Sequence, residues 1–306
     1  MKISVILPCF NGAKTIAVQL EALTRQQWDG GWEVIVSNNG STDESMQIVE
    51  QYRHRLPELK IVDAHDFSSP RLGAWHSYNT GLRAATGDAF VLCEADDEVG
   101  DRWLMSMGRA LQEHEFVVAR LDYRRLNPAS MLGPVGARLQ ETTMPRQGCY
   151  PHYYFAWGCS FGFRRSLYEK LGEFSSHFNY GFDVEYCYRA QRAGIVPQFV
   201  PDAVMHYRLR HSLRDIFNQQ QKWAEESNII RRCYGSPRGK LPIIRKQIEV
   251  AVLFVRGCPL WLLKQLGFPV RLNLLVDWVN DLGWALGEIK GLRKPVPRLL
   301  EGGDRL

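Results

Sequence analysis

The chain has 306 residues, 45% hydrophobic and 23% charged, a composition that fits a folded globular protein and excludes disordered, collagen-like and coiled-coil classes. Thirty-eight Lys and Arg against 33 Asp and Glu leave a net charge of +5, too small and dispersed to indicate nucleic-acid binding, though anionic small molecules or an acidic membrane surface remain suitable partners. The length is about twice that of a typical domain, and the seven cysteines, never spaced C-x-x-C, speak against a zinc site or disulfide framework and fit a reducing cytoplasm.

The apolar run 3–7 follows a single Lys2 and reads as a first strand, without the flank and length of a signal peptide. A helix is predicted over 13–26, with Ile16, Leu20 and Leu23 on one face, then a strand at 34–37, a helix at 44–54 and a short strand at 61–63. A helix at 72–85, a buried strand at 89–93, a helix at 103–111 and a strand at 116–119 continue the alternation. Such βα repetition predicts a mostly parallel sheet with helices on its faces. Residues 121–157, carrying Pro128, Pro134, Pro145 and Pro151, read as a long irregular excursion of the kind that covers a site.

Order returns with a strand at 160–163 and a helix at 165–171. A helix then runs from Asp183 to just before Gly194, a strand spans 196–200 ahead of Pro201, and a helix spans 213–234. Beyond Pro237, apolar runs are interrupted by Arg256, Lys264 and Arg271, with Pro259 and Pro269 expected to break the helices. Leu275, Trp278, Leu282, Ala285 and Ile289 share one helical face, and Gly283, Gly287 and Gly291 form small-x-x-x-small steps. These basic amphipathic helices fit either packing on the main domain or lying in a membrane interface. No run of about 18 apolar residues marks a membrane span.

In "AFVLCEADDEV" a buried strand delivers Glu94, Asp96 and Asp97 to its carboxyl end, where open α/β sheets bind ligands. Three carboxylates there repel one another. Mg²⁺ or Mn²⁺ relieves that repulsion, while a solvated acidic turn is the plainer reading. In "VIVSNNGSTDES", Ser41 and Glu44 have capping-box spacing, which leaves Asn38 and Asn39 as amides suited to a planar base or simply to a turn. The first strand ends in "LPCFNG", where Pro8 stops the sheet and Asn11 with Gly12 lets the chain turn. Asp183 opens a helix after a glycine-bearing loop, as an N-cap or a catalytic base would. His206 follows a strand and reads more readily as structural than as a ligand. The chain lacks G-x-G-x-x-G after the first strand, a P-loop and a G-x-S-x-G elbow.

In this order "SVILPCFN", "EVIVSNNGSTD", "NTGLRAATGDAFVLCEADDEV", "FGFRRSLYEKLGEF", "FDVEYCYRAQRAG" and "PDAVMHYR" resemble the family 2 glycosyltransferases of GT-A fold, over about residues 3–235. The resemblance implies an α/β GT-A domain over 1–236, with a nucleotide-binding half at about 1–120 and an acceptor half at about 121–236, followed by a C-terminal amphipathic segment at 237–306. It implies inverting transfer of a sugar from a nucleotide-diphosphate donor to a saccharide, lipid-linked or protein hydroxyl, in the cytoplasm or peripherally on the inner membrane face, building a surface polysaccharide, glycolipid or glycoprotein.

By matching position, Pro8, Asn11 and Asn38 or Asn39 line the nucleoside pocket. Glu94-Ala95-Asp96 is the D-x-D motif, with Asp96 on a divalent cation (Mn²⁺ or Mg²⁺) at the diphosphate. Asp183 is the general base, and His206 matches a histidine that approaches the metal or diphosphate. Three positions depart from the family pattern: Glu94 for Asp, the asparagine pair for an acid in base recognition, and Phe182 for the Glu before the catalytic Asp, which implies a hydrophobic or unusual acceptor. These departures also fit a catalytically silent nucleotide-sugar-binding protein. A nucleotidyltransferase is less favoured, because its glycine-rich loop is missing.

Overall fold

The computed structural model describes residues 1–132, 140–148, 152–235 and 240–298. Pro134, Cys149, Pro151 and Pro237 lie outside them, as do the ends of the C-terminal segment. The alternating half of the chain forms β1 (Ile3–Cys9), α1 (Ile16–Thr24), β2 (Trp32–Asn38), α2 (Ser45–Glu50), β3 (Lys60–Asp63), α3 (Ala74–Ala84) and β4 (Ala89–Leu92). There follow β5 (Glu98–Val99), α4 (Trp103–Glu113), β6 (Phe116–Asp122), β7 (Phe161–Arg164), α5 (Arg165–Leu171), α6 (Phe182–Arg192) and β8 (Gln198–His206), and then α7 (Leu213–Cys233), α8 (Lys240–Gln265) and α9 (Leu272–Arg293).

One sheet takes all the strands in the order β3-β2-β1-β4-β7-β6-β8-β5. β1 to β4 are parallel, β7 runs antiparallel between β4 and β6, and β6 and β8 are parallel. Alternate residues of β1 fall in separate cores: Val5 and Leu7 pack with α1 and α4, while Ile6 packs with Tyr78 and Leu82 of α3 and with Tyr186 of α6. Helices therefore cover both faces, and the loops after β1 to β4 share one edge.

Three expectations are corrected. β8 does not stop before Pro201 but runs to His206, because the β6–β8 register shifts between Ala119/Val200 and Arg120/Val204. Pro201 sits in that bulge, where no ladder N–H is required. α8 passes through Pro259 without ending; the proline withdraws one bond to the carbonyl of Val255, a residue that is 77% exposed and can turn that group to solvent. The Ser41/Glu44 capping box does not form: α2 begins after Glu44 with no side-chain cap, and the Ser41 hydroxyl instead accepts the Asn11 N–H at 3.1 Å.

The glycine steps of α9 meet α7. A methyl group on Gly283, Gly287 or Gly291 would come under 3.0 Å from the carbonyl oxygens of Phe217, Gln221 and Glu225, so the two backbones approach as only glycine permits. Arg231 of α7 donates to Glu288 of α9 at 2.8 Å, and Arg232 donates to the Gly291 carbonyl. α8 packs on α9 through Trp278, whose indole N–H donates to the Leu253 carbonyl at 2.9 Å. Its other side is open: Ile244, Ile248, Val255, Trp261, Leu262 and Leu266 are exposed. No helix among the described residues is long and apolar enough to cross a membrane.

Candidate active site

The loops after β1 and β2 are tied together. Asn11, with φ of 49°, accepts the Thr42 N–H at 2.8 Å through Oδ1, and Asp43 accepts the Ala13 N–H at 3.0 Å. Pro8 does not stop the sheet: β1 carries it opposite Ser37 and goes on to pair Cys9 with Asn38, which the missing N–H allows because β4 pairs with β1 only as far as Ile6. Asn38 accepts the Ser41 N–H at 2.9 Å and donates to Asp63 Oδ1 at 3.0 Å. Asn39 is buried and donates to the Leu72 carbonyl at 3.1 Å. Both amides thus spend hydrogen bonds on holding the loops. The exposed Asp63 carboxylate at the end of β3, which the sequence reading passed over, is the acid at this edge.

At the end of β4, one carboxylate oxygen each from Glu94, Asp96 and Asp97 lies within 4.8 Å of the others. Burial, followed by repulsion from Asp96, pushes both Glu94 and Asp97 well above the usual carboxylate range. Glu94 accepts from the Tyr78 hydroxyl at 3.3 Å, and Asp97 accepts the Arg208 N–H at 2.8 Å. Arg210 reaches Asp96 at 3.3 Å, and Arg208 Nε donates to the Asp96 carbonyl at 2.7 Å. Asp97 Oδ2 is buried without a hydrogen-bond partner. An all-oxygen donor set with an orphaned buried carboxylate oxygen fits a hard divalent cation such as Mg²⁺ or Mn²⁺.

Asp183 lies in the first turn of α6, not at its cap. The helix start is capped from α7: the Glu226 carboxylate accepts the N–H groups of Asn179, Tyr180 and Gly181 at 3.1, 2.7 and 2.9 Å. That frees Asp183, which accepts the Gly158 N–H through Oδ2 and the Val184 N–H through Oδ1, both at 2.8 Å. Burial pushes its carboxyl from 3.8 up to about 6, against those hydrogen bonds and with a further push from Glu226. A single 3₁₀ turn (Gly158–Ser160) lies between the acidic groups: Gly158 holds Asp183, while burial and then the charges of Asp97 and Glu94 push the Cys159 thiol up. Asp183 in turn adds to the field that raises Glu94.

Asp183 also lines a cavity of about 240 Å³ whose walls include Phe155, Trp157, Tyr180, Trp223 and Trp284; Glu94 and Asp96 are not among its lining. Phe182 is not in this wall either. It is buried with its ring 5.5 Å from that of Tyr78 and 5.2 Å from that of Phe174, so it says nothing about the acceptor. The structure does not bring His206 into the acidic cluster. Its Nδ1 sits 2.7 Å from Asp122 Oδ2, because a residue inside β8 is paired between β5 and β6. Arg210, four residues further on, reaches the Asp96 carboxylate instead, while Arg208 bonds Asp97 through its backbone N–H and the Asp96 carbonyl through Nε; the basic alternation in "HYRLRH" was the signal for them. Tyr78 and Glu226 carry no local sequence signal.

Residues 4–172 match Glycosyl transferase family 2, and residues 135–279 match Glycosyl transferase family group 2. The uncharacterized glycosyltransferase YibD of Escherichia coli is 35% identical over 98 residues, 32% of this chain and 27% of that protein. The poly(ribitol-phosphate) beta-N-acetylglucosaminyltransferase TarS of Staphylococcus aureus is 31% identical over 128 residues, 42% of this chain and 22% of its own length. The chain thus spans about a quarter of each of these relatives. Among solved structures, TarS 1-349 in complex with UDP has a TM-score of 0.53 at 20% identity, covering 94% of this chain and 90% of that one. The mannosyltransferase PcManGT from Pyrobaculum calidifontis, in complex with GDP-Man and Mn²⁺, has a TM-score of 0.55 at 20% identity, covering 95% and 73%. The sheet is that of the GT-A glycosyltransferases, and with the family 2 match extending over more than half its length, the chain belongs to glycosyl transferase family 2.

Proposed function

We propose that the protein transfers a sugar from a nucleotide-diphosphate donor to a hydroxyl acceptor with inversion at the anomeric carbon. The observation that carries this reading is Asp183, a buried carboxylate on a cavity wall whose proton affinity is raised to about 6, where a general base works well near neutral pH. The acceptor oxygen attacks the anomeric carbon, its proton passes to Asp183, and the sugar–phosphate bond breaks with its electron pair leaving on the diphosphate. Asp183 stays aimed because Gly158 and Val184 fix both oxygens, and Glu226 removes the need for it to cap α6.

In this reading Glu94, Asp96 and Asp97 hold a divalent cation, Mn²⁺ or Mg²⁺, which when bound supplies Lewis-acid stabilisation for the charge gathering on the diphosphate. Arg208 and Arg210 hold the Asp96 loop in place. Pro8, Asn11, Asn38 and Asn39 shape the nucleoside end, with Asp63 as its exposed acid. His206, held by Asp122, stands outside the cation cluster. Residues 1–236 form the catalytic domain in this reading. TarS is named for poly(ribitol-phosphate), and the relation favours a polymeric acceptor without fixing its charge. Incubation with UDP- and GDP-sugars and Mn²⁺ tests the activity. Release of UDP or GDP by the wild type and its loss in Asp183→Asn are expected; binding with no release from any donor would leave a nucleotide-sugar-binding protein.

The open face of α8 belongs to the same proposal. Its exposed Ile248, Trp261, Leu262 and Leu266 stand among Arg245, Arg256, Lys264 and Arg271, apolar residues with cationic flanks that suit the interface of an anionic membrane. On this reading the enzyme sits peripherally, on the inner membrane face. Co-sedimentation with phosphatidylglycerol vesicles, lost on Trp261→Asp with Leu262→Asp, is expected, and recovery of the unmodified protein in the supernatant at low salt would refute it.

A further inference from the structure

The cavity beside Asp183 has a chemistry that the transfer reaction alone does not require. Three tryptophans reach it from three separate segments: Trp157 precedes the 3₁₀ turn, Trp223 lies on α7 and Trp284 on α9. Their rings are not stacked into a closed core. Phe155 and Trp157 stand 5.8 Å apart at 50°, and Trp157 and Trp223 stand 6.3 Å apart at 67°, tilted rather than face to face, and all three indoles are only partly buried. Between the rings come Gln147, Gln220 and Ser227, while the aliphatic side chains of the lining are only Ala156 and Val184.

We infer that this cavity is an acceptor subsite for a neutral saccharide, seating about one pyranose ring between the indole faces with a hydroxyl turned to Asp183. The inference rests on the reading of Asp183 as the base. A pyranose has apolar C–H faces and a polar rim, which matches ring faces interleaved with amides and a hydroxyl. A polyprenyl chain would call for predominantly aliphatic walls. A phosphate-bearing acceptor would call for several cations, whereas among the described residues the lining holds one, Arg146, whose Nε already donates to the His152 carbonyl at 2.8 Å. Arg146 and Asp183 together leave the lining with no net charge. At about 240 Å³ the space is smaller than the ~300–1,000 Å³ of sites for drug-sized ligands, which limits it to the terminal ring of a glycan. Trp284 lies beyond both family matches, which end at residues 172 and 279.

The test uses the full chain and its intrinsic tryptophan fluorescence, titrated with methyl glycosides of glucose, galactose, mannose, N-acetylglucosamine and N-acetylgalactosamine, with octyl phosphate as the lipid-phosphate probe. A saturable change with at least one glycoside is expected, weakened about tenfold or more in Trp223→Ala and partly restored in Trp223→Phe. Trp157→Ala serves as the second variant should Trp223→Ala lose its native circular dichroism. No saturable change with any glycoside overturns the inference, and so does binding of octyl phosphate alone or glycoside binding indifferent to both tryptophans. UDP and GDP titrations with Mn²⁺ run alongside separate the two readings: nucleotide binding without glycoside binding defeats the saccharide subsite only, whereas absence of both defeats the transferase reading as well.

Discussion

Replacing Asp183 by Asn separates a catalytic carboxylate from a structural one by the sign of its effect on stability. Burial lifts this carboxyl from 3.8 to about 6, which means that the folded protein disfavours the charged form by about 3 kcal/mol relative to the unfolded chain. The proton is held in both states below about pH 3.8. Between there and pH 6 the folded protein keeps a proton that the unfolded chain releases, so stability falls as pH rises, and above 6 the full loss is in place. An uncharged amide at this position would carry no such loss. It would, however, point its N–H₂ at one of the two backbone donors, Gly158 or Val184, costing about 1 kcal/mol. The variant is therefore expected to be about 2 kcal/mol more stable than the wild type at pH 7.5, with the difference vanishing or reversing near pH 4, while transfer falls by about 10²–10⁴-fold. Urea denaturation at the two pH values, paired with nucleotide release, measures both quantities. A variant less stable than the wild type at pH 7.5, or a stability difference that does not change with pH, would refute the argument that the site maintains a strained base.

The same carboxyl sets the pH dependence of the wild type: kcat/KM is expected to fall about tenfold per pH unit below about 6, where Asp183 takes up its proton, and a profile flat down to pH 5 contradicts it. Asp96→Ala should remove the Mn²⁺-dependent part of UDP or GDP affinity, read by calorimetry with and without the ion; unchanged affinity in the presence of Mn²⁺ rejects the assignment. Glu226→Ala should leave three N–H groups at the start of α6 without their acceptor and lower kcat, whereas Glu226→Gln, which keeps an acceptor oxygen, should recover much of it. Gly287→Val should cost about 1–3 kcal/mol by forcing α9 off the Gln221 carbonyl, measured by denaturation; a neutral effect would show that the α7–α9 packing is looser than described.

Most of the sheet was legible because β1, β2, β4 and β6 carry apolar runs between helical periods, though the two-residue β5 was not, and the acidic tip at 94–97 because three carboxylates after a buried strand demand a reason. What escaped was set by pairing across the fold. Pro201 reads as a stop until the bulge opposite Arg120 removes the need for its N–H. Pro259 reads as a break until the open face of α8 lets one carbonyl go unbonded within the helix. Ser41 and Glu44 have cap spacing, but Asn11 on a neighbouring loop competes for the Ser41 hydroxyl. His206 matched a motif by position, yet its neighbours in space are Asp122 and Gly100. No window of sequence around Asp183 contains Glu226 or Tyr78, which are brought in from α7 and α3.

The glycine seam between α7 and α9 leaves the protein with two parts free to drift at different speeds. On the proposed assignment, the groups that would handle the leaving group lie before residue 100 or in the short return at 206–210, whereas the tail lends the cavity beside Asp183 one indole and, by gripping α7, steadies a second. Substitutions along that tail can retune which molecule is decorated and leave the bond-breaking apparatus as it was, so sister proteins that differ mainly after residue 213 should share a donor and part ways in what they modify.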